Sequence, residues 1–214
     1  MTEEFKAYTV ENILSPSEVE VLLASARSFT EEQWALSADS SPFWKGRALD
    51  LITLKRFDRK AYSLILYDAF PRIREALIKN YDLESSIYPD TLGLIRWPVG
   101  LFQNPHWDDM KGYGEEETKN GHRKFGTIVY LNDTYEGGQT YYPKFNHYIT
   151  PKAGMLAMHP GDELHEHGVT EVKKSIRYTI SCFWHYERAR VADRSEFHDE
   201  YYANNGEVIY TSVE

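Results

Sequence analysis

The order of apolar and polar positions divides the chain into two unlike parts. In the first ninety residues, apolar positions recur mostly at helical spacing. "SPSEVEVLLASARSF" opens with Ser15 as N-cap, Pro16 in the first turn and Glu18 at the capping-box position. Val19, Leu22, Leu23 and Ala26 then fall on one stripe. A second helix is predicted from Asp58 to Asn80, with Ala61, Leu64, Ile65, Ala69, Ile73, Leu77 and Ile78 on its apolar side. Pro71 should kink or divide it, because proline lacks the N–H that a helix interior uses. Ahead of both helices, "YTVENIL" reads as a strand.

After Pro89 the period shortens. "TLGLIRW", "FGTIVYL", "QTYYP", "HYIT", "GMLAMH", "HGVTEV" and "RYTISCFW" are short β-rich runs, separated by Gly, Pro, Asn and Asp. Seven or eight short strands with no helix between them predict a sandwich, jelly roll or barrel. Gly137-Gly138 fits a turn that needs positive φ. Two segments carry no such period. Asp109 to Phe125 is polar and glycine-bearing, and reads as a lid over a site or as a surface excursion. Glu187 to Asn205 is charged and tyrosine-rich, and reads as a C-terminal helix or tail. The expected organisation is one domain over 1–214: strand and supporting helices in 1–90, β core in 91–185, helix or tail in 186–214.

Composition narrows the function classes. The 214 residues are 42% hydrophobic and 27% charged, as in a globular domain. Lys and Arg number 24 against 33 Asp and Glu, a net charge of −9. That balance argues against general nucleic-acid binding, since Lys173, Lys174 and Arg177 are the one clear basic cluster. Cys182 is alone, so no intrachain disulfide forms, and it reads as a small buried hydrophobe. The N-terminus has no signal-peptide apolar run, and no stretch reaches the roughly 18 apolar residues of a membrane span. The expected location is cytoplasmic, with no membrane partner. The sequence does not specify an oligomeric state.

The candidate chemistry begins at "NPHWDDM". If His106-Trp107-Asp108 is extended, the imidazole and carboxylate share one side and Trp107 faces the other. Two His and one carboxylate with open positions suit non-haem Fe(II). Downstream, His159, His165 and His167 are all candidate third ligands, and alternation puts His165 on the side of His167. Arg177, Thr179 and Ser181 share one face of the last strand, with Tyr178, Ile180, Cys182 and Trp184 on the other. A cation and hydroxyls on one face of an apolar strand form either a solvent-facing side or the wall of a polar cavity that binds a carboxylate. His122, His147, His185 and His198 read as surface or capping residues.

"HWD" at 106–108, "HGVTEV" from His167 and "RYTISCFW" from Arg177 resemble the 2-oxoglutarate- and Fe(II)-dependent dioxygenase superfamily, in its prolyl 4-hydroxylase-like branch. "LIRWPVGLFQNPHWD", "IVYLNDTYEGGQTYYP" and "ITPKAGMLAMHP" match further family segments, and the resemblance covers about residues 8 to 185. It implies a double-stranded β-helix with N-terminal helices packed outside. It implies metal ligands His106, Asp108 and His167, because the family places an Arg ten positions after its last His, as Arg177 stands to His167. Arg177, Thr179 and Tyr130 are then the cosubstrate-binding residues. The implied cofactors are Fe(II), 2-oxoglutarate and O2, with ascorbate supportive. The implied reaction is C–H hydroxylation, on a prolyl residue of a peptide or on a small molecule, with succinate and CO2 as co-products.

Two positions depart from the family pattern. Gln103 replaces a tyrosine that helps bind the oxoacid, and Ser175 replaces a commoner glycine. Trp97, Trp107 and the tyrosines at 141–142 could shape a peptide groove or a small-molecule pocket. A zinc-dependent hydrolase using the same three ligands, and a non-catalytic metal-binding barrel, are the alternative readings.

Overall fold

The computed structural model describes residues 4–36, 42–84, 87–109 and 121–186. The body of the 109–125 segment and everything after Tyr186, including His198, lie outside the described residues.

The chain enters through β1 (Tyr8–Val10), α1 (Pro16–Ser28) and α2 (Glu31–Trp34). The capping box at Ser15 forms as the sequence predicts: Glu18 N–H donates to Ser15 Oγ at 3.3 Å, and Ser15 N–H to Glu18 Oε2 at 2.6 Å. Next come β2 (Ala48–Asp50), α3 (Leu51–Phe57) and α4 (Arg59–Ser63), a π-helical turn (Leu64–Ala69), and α5 (Phe70–Tyr81). The predicted second helix is therefore continuous but changes type. Phe70 N–H donates to Ile65 O, five residues back, one position before Pro71. The wider turn lets the chain pass a residue with no N–H to give.

The β part comprises β3 (Tyr88–Trp97), β4 (Gln103–His106), β5 (Phe125–Tyr130), β6 (Glu136–Gly137), β7 (Thr140–Tyr142), β8 (His147–Tyr148), β9 (Leu156–Pro160), β10 (His167–Val169), β11 (Val172–Lys173) and β12 (Arg177–His185). Six strands form a major sheet in the order β1-β9-β5-β12-β3-β2, and four form a minor sheet in the order β4-β10-β7-β8. Among the described residues the strands pair antiparallel throughout. This is the expected double-stranded β-helix with helices outside. The N-terminal segment also completes the core, because β1 and β2 are the two edges of the major sheet.

The helices cover one face of the major sheet. Leu22, Leu54, Ile65, Phe70 and Leu77 pack with Leu94, Val129, Ile180 and Trp184 in one buried cluster. Trp184 stacks on Phe70 with ring centroids 4.7 Å apart, and its indole N–H donates to Thr127 Oγ1 at 2.9 Å. Arg72 ties α5 to α1 through both oxygens of Glu18, at 2.6 and 3.2 Å. The other face of the sheet turns towards β4, β10 and β7, and the candidate site lies between them.

Candidate metal centre

Sheet register brings the two histidines together. His167 is the direct cross-strand partner of His106 in the β10–β4 ladder. Side chains directly opposite each other in an antiparallel pair are neighbours, and these ring centroids are 4.6 Å apart. Asp108 is not on the strand: β4 ends at His106, and Asp108 lies in the turn that follows. A backbone bond from Asp109 N–H to Gly161 O, 3.0 Å, holds that turn against the end of β9. Ligand atoms of His106, Asp108 and His167 all lie within 4.8 Å of one another.

Both rings present the right nitrogen. His167 Nδ1 is 3.0 Å from His165 O, and His106 Nδ1 is 3.1 Å from Asn104 O. A carbonyl oxygen only accepts, so each Nδ1 carries the proton and each Nε2 keeps its lone pair. His167 Nε2 is 3.8 Å from Asp108 Oδ1. Asp108 is buried, and its Oδ2 has no hydrogen-bond partner. Burial pushes the pKa of His167 down to about 3, with further lowering from His159 and partial compensation from Asp108. The ring is therefore a neutral ligand at physiological pH. Two imidazole nitrogens with lone pairs directed inward, that of His106 near the Gln103 amide, and a buried carboxylate suit a divalent cation that accepts N and O donors.

The other two candidate ligands have different positions. His165 is not on the strand face with His167; it ends a 3₁₀ turn, Glu163–His165, capped by Asp162. Its Nδ1 is 2.7 Å from Asp162 Oδ1, and its Nε2 accepts from Lys6 N–H at 3.0 Å. Both nitrogens are committed, so His165 braces the N-terminal segment. His159 is buried on β9 with Nδ1 against Pro160 O at 3.0 Å and is absent from the three-residue group. Its ring nonetheless packs 4.1 Å from that of His167, and burial lowers its pKa to about 4. Gly126 makes this crowding possible. A Cβ there would lie 2.5 Å from Asp108 Oδ2 and 2.7 Å from His159 Cε1. His185, read from sequence as a surface or capping residue, is fully buried at the end of β12.

Beyond the triad, Arg177 is 1% exposed and makes no ion pair among the described residues. It reaches only Thr140 Oγ1, at 3.5 Å, and its Nε has no partner. Tyr130 and Trp97 are its ring neighbours, 5.3 and 5.1 Å from Cζ. Register explains the grouping, since Arg177 pairs with Trp97 and Thr179 with Tyr130. The Tyr130 hydroxyl is 2.8 Å from Thr140 Oγ1. Thr179 Oγ1, Trp97 Nε1 and Tyr135 Oη are buried without partners. Gly137 and Gly138 both have positive φ, at 64° and 59°, as the sequence predicts. A Cβ at Gly138 would lie 3.2 Å from Arg177 Cδ and 3.0 Å from the Tyr135 ring. A buried guanidinium with no acid is costly unless an anion joins it. These unsatisfied donors suit a carboxylate.

Thr140 and Tyr135 were not legible as site residues. Thr140 alternates with Tyr141 on β7, but a threonine followed by two tyrosines forms no recognisable motif. Gln103, at the family's tyrosine position, places Nε2 3.2 Å from His106 Nε2, at the metal side of the site. Tyr141 turns away and stacks on Tyr148, whereas Tyr142 is buried near His159 and His167.

A double-stranded β-helix that gathers two histidines and an aspartate beside a buried, unpaired arginine defines the scaffold of non-haem iron oxygenases. Residues 92–185 match the family model of the 2OG-Fe(II) oxygenase superfamily. A probable prolyl 4-hydroxylase 3 of Arabidopsis thaliana is 25% identical over 144 residues, which is 67% of this chain and 47% of that protein. The chain thus spans about half the length of the curated relative it matches. The 2-oxoglutarate complex of a collagen prolyl hydroxylase from Paramecium bursaria Chlorella virus-1 aligns with TM-score 0.63 at 15% identity, covering 85% of this chain and 96% of that one. A Trichoplax adhaerens prolyl hydroxylase, in complex with a hypoxia inducible factor oxygen degradation domain peptide fragment, aligns with TM-score 0.60 at 15% identity, covering 90% and 89%. Family model and relatives alike liken the β core of this chain to the 2OG-Fe(II) oxygenase superfamily, whose members use Fe(II), 2-oxoglutarate and O2.

Proposed function

We propose that this protein is an Fe(II)- and 2-oxoglutarate-dependent hydroxylase acting on a prolyl residue of a peptide or protein. The observation that carries the reading is the pairing of two unsatisfied sites between the same two sheets. One is the donor set of His106, Asp108 and His167; the other is the acid-free, buried Arg177. A zinc hydrolase needs the first and has no use for the second. The peptide substrate rests on the prolyl hydroxylase relatives, one of them in complex with a peptide.

In this reading His106, Asp108 and His167 hold the metal. Fe(II) with 2-oxoglutarate and O2 supplies the oxidant for C–H hydroxylation, with succinate and CO2 as co-products. The chain's own share is positioning. The carbonyls of Asn104 and His165 fix both imidazole tautomers. Arg177 and Thr179 would take the far carboxylate of 2-oxoglutarate, with Tyr130 bracing Arg177 through Thr140. Burial of Asp108, His167 and Arg177 keeps bulk water from the reacting centre. The proposal takes 1–214 as one dioxygenase domain in a reducing, cytoplasmic compartment, supported by a single cysteine, the buried Cys182. No helix among the described residues is long and apolar enough to cross a membrane.

The test is to supply Fe(II), 2-oxoglutarate, O2 and a prolyl-peptide library, then measure succinate and products heavier by one oxygen atom. Oxygen- and iron-dependent succinate is expected even without peptide, with hydroxylated peptide when the right sequence is present. Metal-loaded protein that forms no succinate under either condition would overturn the reading.

A further inference from the structure

A second unpaired arginine lies next to the first. Arg47 ends the short segment before β2, and its guanidinium carbon is 3.9 Å from the Phe43 ring centroid, 4.6 Å from that of Trp97 and 5.1 Å from that of Trp44. Trp97 is the same indole that borders Arg177, so the two guanidiniums share one aromatic neighbour. Neither has an acidic partner among the described residues.

The contrast with Arg96 is direct. Arg96 stacks on Trp34 in a similar way, but Glu31 receives both its Nη groups, at 2.7 and 2.5 Å, and Gly46 O takes its Nε–H at 2.9 Å. Arg47 has the aromatic cage without the acid. Its Nε and Nη2 are shielded from solvent and make no hydrogen bond. Burial alone draws its pKa down to about 10, so it remains a cation. Nε–H and Nη2–H are the two donors that point the same way along one edge of a guanidinium, and that edge matches the two oxygens of a carboxylate.

We propose that Arg47, held by Phe43, Trp44 and Trp97, is a carboxylate-recognising subsite beside the cosubstrate pocket, which selects an acidic peptide as the substrate. The peptide rests on the hydroxylase reading above; the carboxylate does not. Phe43 is 36% exposed and Arg47 only half-buried, which puts this cage at the surface and not in the core. With a net charge of −9 the chain as a whole repels acids, so recognition depends on this short-range fork and not on long-range steering.

Two fluorescein-labelled peptide pools separate the possibilities: prolyl peptides with Glu at neighbouring positions, and the same peptides with Gln. Anisotropy measures their binding to the full chain, with and without Mn(II) and 2-oxoglutarate. The Glu pool is expected to bind about tenfold tighter, the worth of one charge-assisted bidentate contact. Arg47→Gln should abolish the preference and Arg47→Lys, which keeps the charge but not the fork, should leave only part of it. A capped single residue, N-acetylglutamate methylamide, distinguishes the source: if it competes as well as the pool does, the subsite serves a small acid. Equal binding of both pools to the unmutated chain overturns the proposal, as does a preference that survives Arg47→Gln. A Glu preference in a protein that forms no succinate leaves the subsite standing and removes the hydroxylase reading instead.

Discussion

On the helix side of β12, Tyr178, Ile180, Cys182 and Trp184 are buried among apolar neighbours, and the one indole N–H there has its acceptor in Thr127. On the opposite side of the same strand, Arg177 and Thr179 are just as buried, yet Arg177 Nε and Thr179 Oγ1 have no partner at all. Buried polar groups are normally satisfied. A strand that obeys the rule on one face and breaks it on the other separates stability from function. The helix face holds the fold together, and the inner face holds back hydrogen-bonding capacity for molecules that arrive later.

That separation can be broken from either side. The largest expected effects come from opposite faces and fall on different measurements. Asp108→Ala should lower divalent-metal affinity by more than about 100-fold by calorimetry and reduce succinate to background. It should leave Tm unchanged or higher, because an unpaired buried carboxylate is removed. Trp184→Ala should do the reverse, costing about 3–5 kcal/mol in denaturant unfolding and roughly 10 °C in Tm, with the KM for 2-oxoglutarate unchanged in the folded protein. Next in size is Arg177→Met, which keeps the volume and removes the charge. Its expected signature is a large rise in KM for 2-oxoglutarate together with a gain of about 1–4 kcal/mol in stability. A loss of stability instead would show that Arg177 is a structural residue.

Smaller effects test the borders between the faces. Gly126→Ala puts a methyl group against Asp108 and His159, and should cost about tenfold in metal affinity with little change in unfolding. On the helix side, Arg72 and the Ser15 backbone hold the Glu18 carboxyl below its usual 4.5. A depressed carboxyl stabilises the fold above its unfolded pKa and loses that contribution as pH falls through the folded one. Glu18→Gln should therefore cost roughly 1 kcal/mol at pH 7, and the difference from the unmutated chain should shrink towards zero by about pH 3. Activity at pH 7 should not change.

The relations legible in the amino-acid order are local. The capping box at Ser15, the alternation that puts Arg177 and Thr179 opposite Ile180 and Trp184, and the positive-φ glycine pair at 137–138 depend on residues two to four positions apart. Those relations survive whatever the rest of the chain does. The ten-residue interval from His167 to Arg177 was readable only because it resembles a family pattern. Where local pattern was stretched too far, it failed. Alternation put His165 beside His167, but Asp162 caps a 3₁₀ turn there and turns the ring to brace Lys6. His185 reads from sequence as a surface or capping residue and is buried, because burial depends on what packs against β12 and not on β12 itself.

The other relations exist only in the packed fold. β2 and β4 are too short, as "ALD" and "QNPH", to carry a pattern, yet β2 closes an edge of the major sheet and β4 places His106 opposite His167. The Asp108 turn, the crowding at Gly126 and the two arginines around Trp97 arise where distant segments meet. No periodicity records such meetings, because strand order and register are settled by which faces the whole chain can bury at once.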